Sequence, residues 1–110
     1  MNKIFPKEII NLPEADIDID GLTAHLSQGD DHQILFMKFE QDTELPEHSH
    51  KCQWGVVLEG TIELTIDGVT STFKKGDRYY IPSGIVHSGK IYAGYSDMTF
   101  FGERDRYFIK

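Results

Sequence analysis

The chain has 110 residues, one cysteine and a formal charge of −7, from 18 acidic against 11 basic side chains. That length makes one domain able to bury a core unaided, and a lone Cys52 excludes an intrachain disulfide. No Lys/Arg cluster supplies the concentrated positive charge that phosphate contacts need, and no apolar stretch reaches membrane-spanning length, so neither nucleic acid nor a membrane is expected as a partner.

In chain order, the opening Met1-Asn2-Lys3-Ile4-Phe5-Pro6-Lys7 lacks the uninterrupted apolar core of a secretion signal, so a cytoplasmic protein is expected. Pro6 and Pro13 break regular structure, and residues 1–21 read as a segment that packs on a barrel or on a partner subunit. Within it, Asp16-Ile17-Asp18-Ile19-Asp20 alternates as a half-buried strand does. From Leu22 to the end, over residues 22–110, strand-like runs alternate with turn signals: Gln28-Gly29-Asp30-Asp31, Glu40-Gln41-Asp42, Glu59-Gly60, Asp67-Gly68, Lys75-Gly76-Asp77, Pro82-Ser83-Gly84, Ala93-Gly94 and Phe101-Gly102. Many short strands without a helical period indicate an all-β sandwich or barrel.

Two elements stand out. The run His32–Glu40 sets Ile34, Phe36 and Lys38 on one face and Leu35, Met37 and Phe39 on the other, and both faces are largely apolar. Ile62, Leu64 and Ile66 alternate with Thr61, Glu63 and Thr65, then turn at Asp67-Gly68 into Val69–Phe73. Asp-Gly accepts the positive φ of a tight hairpin, and the alternation sets which face is buried.

The chemistry concentrates in His48-Ser49-His50 and in His87, at the end of Pro82-Ser83-Gly84-Ile85-Val86-His87. On an extended strand His48 and His50 point the same way, and a third imidazole from a second strand closes on the same ion. Neutral imidazole is a good ligand for borderline divalent metals, and the Pro-x-Gly turn holds the start of the strand carrying His87.

These residues resemble the cupins, small β-barrels that carry two histidine motifs: His-x-His, three or four residues, Glu, six residues, Gly; and Gly, five residues, Pro-x-Gly, two residues, His, three residues, Asn. The second motif matches from Gly76 through Pro82 and Gly84 to His87, with Ile91 in place of the terminal Asn. The first matches at His48, His50 and Gly60, and the resemblance extends over roughly residues 30–101. It implies a double-stranded β-helix or jelly-roll barrel, a divalent ion such as nickel, zinc, iron or manganese, and a homodimer paired through outer sheet faces.

The departure lies between His50 and Gly60, where Gln53 stands in place of the usual metal-binding Glu on a connection one residue shorter. An amide oxygen still ligates but is neutral, which weakens the hold on a divalent ion and leaves it more Lewis acidic. Cys52, beside it, is an alternative ligand through its thiolate. Some cupins with Gln at this place are linked to opening unsaturated uronate sugars, which makes a sugar acid a candidate substrate.

Outside the motifs, Asp97, Arg104 and Tyr80 are the candidates for catalytic contact with a substrate. Trp54, Phe36, Tyr80, Tyr92, Phe100 and Phe101 are candidates to line a cavity. His25 and His32 match neither motif and read as partly exposed strand histidines. The expected function is a metal-dependent enzyme on a small polar metabolite, by isomerisation, ring opening or oxygenation. The alternative is a non-catalytic barrel that binds a small molecule, its metal site structural or vacant; a regulatory sensor is disfavoured for want of a DNA-binding domain.

Overall fold

A computed structural model describes residues 4–110, so the first three positions of the 1–21 segment lie outside the description. A short helix α1 (Lys7–Ile10) precedes nine strands: β1 (Leu22–Gln28), β2 (Gln33–Phe39), β3 (Thr43–His48), β4 (Gln53–Glu59), β5 (Thr61–Ile66), β6 (Val69–Lys74), β7 (Arg78–Ile81), β8 (His87–Ile91) and β9 (Tyr95–Phe101). They form two antiparallel sheets, ordered β1-β2-β9-β4-β7 and β3-β8-β5-β6, laid face to face as a jelly-roll barrel. No helix among the described residues is long and apolar enough to cross a membrane.

Alternation decides the core. In β2 the buried positions are Gln33, Leu35, Met37 and Phe39, while Ile34, Phe36 and Lys38 face outward. Across the interior β5 contributes Ile62 and Leu64, and β8 contributes Ile91. Fully burying one such aliphatic side chain stabilises the fold by about 1.5–3 kcal/mol. The β5–β6 hairpin turns at Asp67 and Gly68, with φ of 50° and 80°, as its turn residues allow. Gly60, with φ of 78°, serves a tighter purpose: a Cβ there would lie 2.7 Å from Tyr95 Cα.

The Asp16–Asp20 run corrects the sequence expectation. It belongs to no strand, although Ile17 and Ile19 are half buried and the aspartates are exposed. Pairing stops just before it: Ala15 donates to the Ala24 carbonyl at 3.0 Å and Leu26 donates to the Pro13 carbonyl at 2.8 Å. Alternation records which side is covered and says nothing about whether a partner strand is present. The same segment buries His25, whose Nδ1 bonds the Leu12 carbonyl at 3.0 Å, so this histidine is structural and not partly exposed. The C-terminal tail crosses back onto the segment, with Asp16 donating to the Phe108 carbonyl at 2.7 Å and Ala15 bridging Ile109.

Candidate metal centre and barrel cavity

His48 ends β3 and faces His87, the first residue of β8, across a bulge after Leu45. His50 lies beyond the strand, in the β3–β4 connection, so strict strand alternation does not bring it to the cluster. The Pro82–Gly84 turn does, because the Gly84 amide donates to the His50 carbonyl at 2.9 Å and ties the two motifs together. One ring nitrogen from each histidine falls within 4.8 Å of the others, and His50 Nε2 stands 3.1 Å from His87 Nε2.

Each ring is fixed by its other nitrogen. His48 Nδ1 bonds the Pro46 carbonyl at 2.7 Å, His50 Nδ1 the Lys51 carbonyl at 2.6 Å, and His87 Nδ1 the Ile85 carbonyl at 2.9 Å. A carbonyl only accepts, so every Nδ1 carries the proton and a neutral ring presents a lone pair at Nε2. Burial pulls His50 down to about 4, against the opposing Lys51 carbonyl, with Arg106 and the other two imidazoles adding to the drop. Burial also lowers His87. Two lone pairs facing at 3.1 Å repel unless a cation lies between them. Ligand bonds of about 2.0–2.1 Å at angles between square and tetrahedral put nitrogens about 2.8–3.4 Å apart, a range that the His50–His87 pair meets, and His48 stands close enough to join them as a third ligand.

Gln53 begins β4 and lines the same cavity, its Nε2 donating to the Tyr79 hydroxyl at 3.3 Å. Its amide oxygen has no hydrogen-bond partner among the described residues, which leaves it available as a ligand. Tyr79 in turn donates to Asp97 Oδ2 at 3.4 Å, and Tyr95 donates to the same oxygen at 2.6 Å. Asp97 is buried in the cavity wall, and burial raises it to about 6 against the hydroxyls of Tyr95, Thr99 and Tyr79, which favour the ionised form. Its Oδ1 is buried without a partner. Burial raises both tyrosines as well, so each stays protonated and donates.

The cavity has a volume of about 290 Å³ and runs from the imidazoles to the wall formed by Ile17, Ile19, Met37, Phe39, Leu64 and Ile91. The tail after β9 forms part of its wall. Gln33 clamps that tail through two bonds, receiving the Tyr107 amide at 3.0 Å and donating to the Tyr107 carbonyl at 2.8 Å. This places Arg106 and Tyr107 on the cavity wall.

Several residues singled out by type lie elsewhere. Tyr80 is 56% exposed on the outer face, because the β4–β7 register sets Tyr79 inward and Tyr80 outward. Arg104 is exposed on the tail and offers only its carbonyl, to Gln28 at 2.8 Å. Cys52 packs its sulfur against Gly102 and is not among the clustered ligands. Of the aromatics, Phe101 lines the cavity; Trp54 and Phe100 border a shallow outer hollow with Ile34 and Met98. Phe36 meets Phe5 edge-on at 5.8 Å, and Tyr92 donates to Glu63 at 3.1 Å. His32 stacks on Phe100 at 5.1 Å, away from the cluster.

The residues the sequence reading missed are Tyr79, Arg106 and Tyr107. A signal existed for the first: Gly55 interrupts an otherwise bulky strand, and a Cβ there would strike the Tyr79 ring. A glycine inside a strand marks such close approach. No comparable signal separates Arg106 from Arg104.

The family model for the cupin domain matches residues 35–100. An RmlC-like cupin from Shewanella frigidimarina is 22% identical with a TM-score of 0.73, covering 86% of each chain. KdgF from a Halomonas species is 20% identical with a TM-score of 0.70, over 83% of this chain and 87% of its own. Oxalate decarboxylase of Bacillus subtilis, as a deletion mutant, is 19% identical with a TM-score of 0.74, over 92% of this chain and 30% of its own. No curated protein sequence matches. At these identities the structures speak for the fold, while the family match spans more than half of the sequence around all three clustered histidines: the chain belongs to the cupin family.

Proposed function

We propose that this chain is a metal-dependent enzyme acting on a small molecule held in the barrel, with the ion bound by His48, His50, His87 and the amide oxygen of Gln53. The observation that carries this reading is the set of three imidazoles, each pinned through Nδ1 to a backbone carbonyl and presenting Nε2 to its neighbours. A bound divalent ion supplies Lewis acidity that polarises a carbonyl or hydroxyl of the ligand. The protein supplies the rest. Asp97, raised to about 6, holds or takes a proton near neutral pH at its unpartnered Oδ1, and the Tyr79 and Tyr95 hydroxyls orient that carboxyl. The apolar wall excludes water from the reacting end. Isomerisation, ring opening and oxygenation remain the reaction classes this arrangement serves.

The far wall has almost no polar group and favours a second reading, a barrel that binds its ligand without turning it over. Metal analysis of untagged protein, with His48→Ala and His87→Ala alongside, separates the two. The enzyme reading expects one ion per chain, lost in both variants together with turnover. A protein free of any defined ion, or turnover indifferent to its loss, sinks that reading.

We further propose a homodimer through the outer face of the five-stranded sheet, where Ile34, Trp54, Met98 and Phe100 border an apolar hollow. Light scattering after size exclusion should return twice the chain mass; a monomer at micromolar concentration rejects it.

A further inference from the structure

The cavity wall carries a cation that makes no ion pair among the described residues. Arg106 takes part in none of the ion pairs among the described residues, which join His32 to Asp31, Lys38 to Glu40, Lys75 to Glu59 and Lys110 to Glu14. Its Nε is buried without a hydrogen-bond partner. Glu103, in the same tail, keeps Oε1 buried and equally unpaired, and makes no ion pair with it. The guanidinium is nevertheless held in place, 4.7 Å from the Tyr107 ring and 6.0 Å from the Phe101 ring, on a tail that Gln33 clamps by two hydrogen bonds. A rigid, half-buried guanidinium with free donors is a receptor for a planar anion, which it binds by a two-pronged, charge-assisted contact.

The walls define what is attached to that anion. Past the imidazoles, Gln53, Tyr79 and Asp97, the lining is aliphatic and aromatic, as at Ile19, Met37, Phe39, Leu64 and Ile91. A sugar placed there leaves hydroxyls desolvated without partners, each costing on the order of 1–3 kcal/mol, whereas a hydrocarbon gains from burial. We propose that Arg106 takes the carboxylate of a ligand whose body is a hydrocarbon chain or ring, which sets aside a sugar acid as the natural occupant. The inference rests on the reading of the cavity as the ligand site and does not require the metal.

The test is calorimetric titration of the wild-type protein, Arg106→Gln and Arg106→Lys with octanoate, octan-1-ol and galacturonate, each in zinc-loaded and in chelator-treated protein. Octanoate should bind the wild type at least about tenfold tighter than either other probe. Arg106→Gln should weaken octanoate about tenfold and leave octan-1-ol unchanged. Arg106→Lys, which keeps the charge and loses the fork, should fall between and covers the case in which the glutamine variant does not fold. Galacturonate binding as tightly as octanoate, or octanoate indifferent to Arg106, overturns the proposal. Arg106-dependent octanoate binding that survives chelation upholds it even if the metal-dependent reading fails, while zinc binding without it rejects this inference alone.

Discussion

The two ends of the cavity are built on opposite principles. At the imidazole end each ring is fixed by a carbonyl one or two residues away, from Pro46, Lys51 or Ile85, and its other nitrogen is left open. At the Asp97 end one carboxyl is gathered from across the sheet by Tyr79 of β7 and Tyr95 of its own strand, with Gln53 of β4 behind Tyr79. Local fixation presents donors to a ligand. Cross-strand fixation keeps a carboxyl dry and shifts its affinity for a proton.

The sharpest break of this contrast is His87→Ala. Structural zinc sites bind with about 10–16 kcal/mol over four ligands, so one ligand is worth about 2.5–4 kcal/mol, a loss of about a hundredfold in zinc affinity by calorimetric titration. An affinity changed less than tenfold means that His87 is not a ligand.

The other end breaks through Gly60→Ala. Its φ of 78° and the 2.7 Å approach to Tyr95 Cα leave no room for a methyl, and the Tyr95 hydroxyl holds Asp97. The expected destabilisation is about 2–3 kcal/mol in urea unfolding, against about 1 kcal/mol for Gly68→Ala, where φ is equally positive but the space is open. Equal losses for the two show that the close approach carries no weight.

Asp97→Asn tests the dry carboxyl itself. The folded value, about 6, stands above the ordinary 3.8, so the fold favours the protonated form. That contribution is complete below about pH 3.8 and is lost as pH rises through about 6. Relative to the asparagine variant, the wild type should therefore lose on the order of 2 kcal/mol between pH 4 and pH 7.5, read as a widening gap in urea midpoints. A gap that stays constant with pH puts Asp97 in contact with water.

The smallest effect belongs to Gln53→Glu, which joins the two ends. A carboxylate at this place adds negative charge toward the imidazoles and gives up the bond that the Gln53 amide donates to Tyr79, so zinc affinity should rise about tenfold. Unchanged affinity removes position 53 from the ligand set.

The same contrast explains what was readable in the amino-acid sequence. The β2 strand and the β5–β6 hairpin were legible because period-two alternation and an Asp-Gly turn act on neighbouring residues. The three histidines were legible for a related reason, since their spacing to Pro82, Gly84 and Gly60 is short-range. Tyr79 against Tyr80 is a question of parity, decided by a β4–β7 register that no local pattern sets. Arg106 against Arg104 depends on the Gln33 clamp, contributed by a strand at the other end of the chain. The Asp16–Asp20 alternation suggests a paired strand but reflects only that Ile17 and Ile19 face the cavity.

Long-range proton–nitrogen correlation of the imidazoles, on metal-free protein and after equimolar zinc, tests the metal centre most directly. The expected spectra show His48, His50 and His87 as Nδ1-protonated tautomers whose three Nε2 signals move together on adding zinc, with His25 and His32 still. Nε2-protonated rings in that cluster, or zinc that shifts other histidines and leaves these three in place, would contradict it.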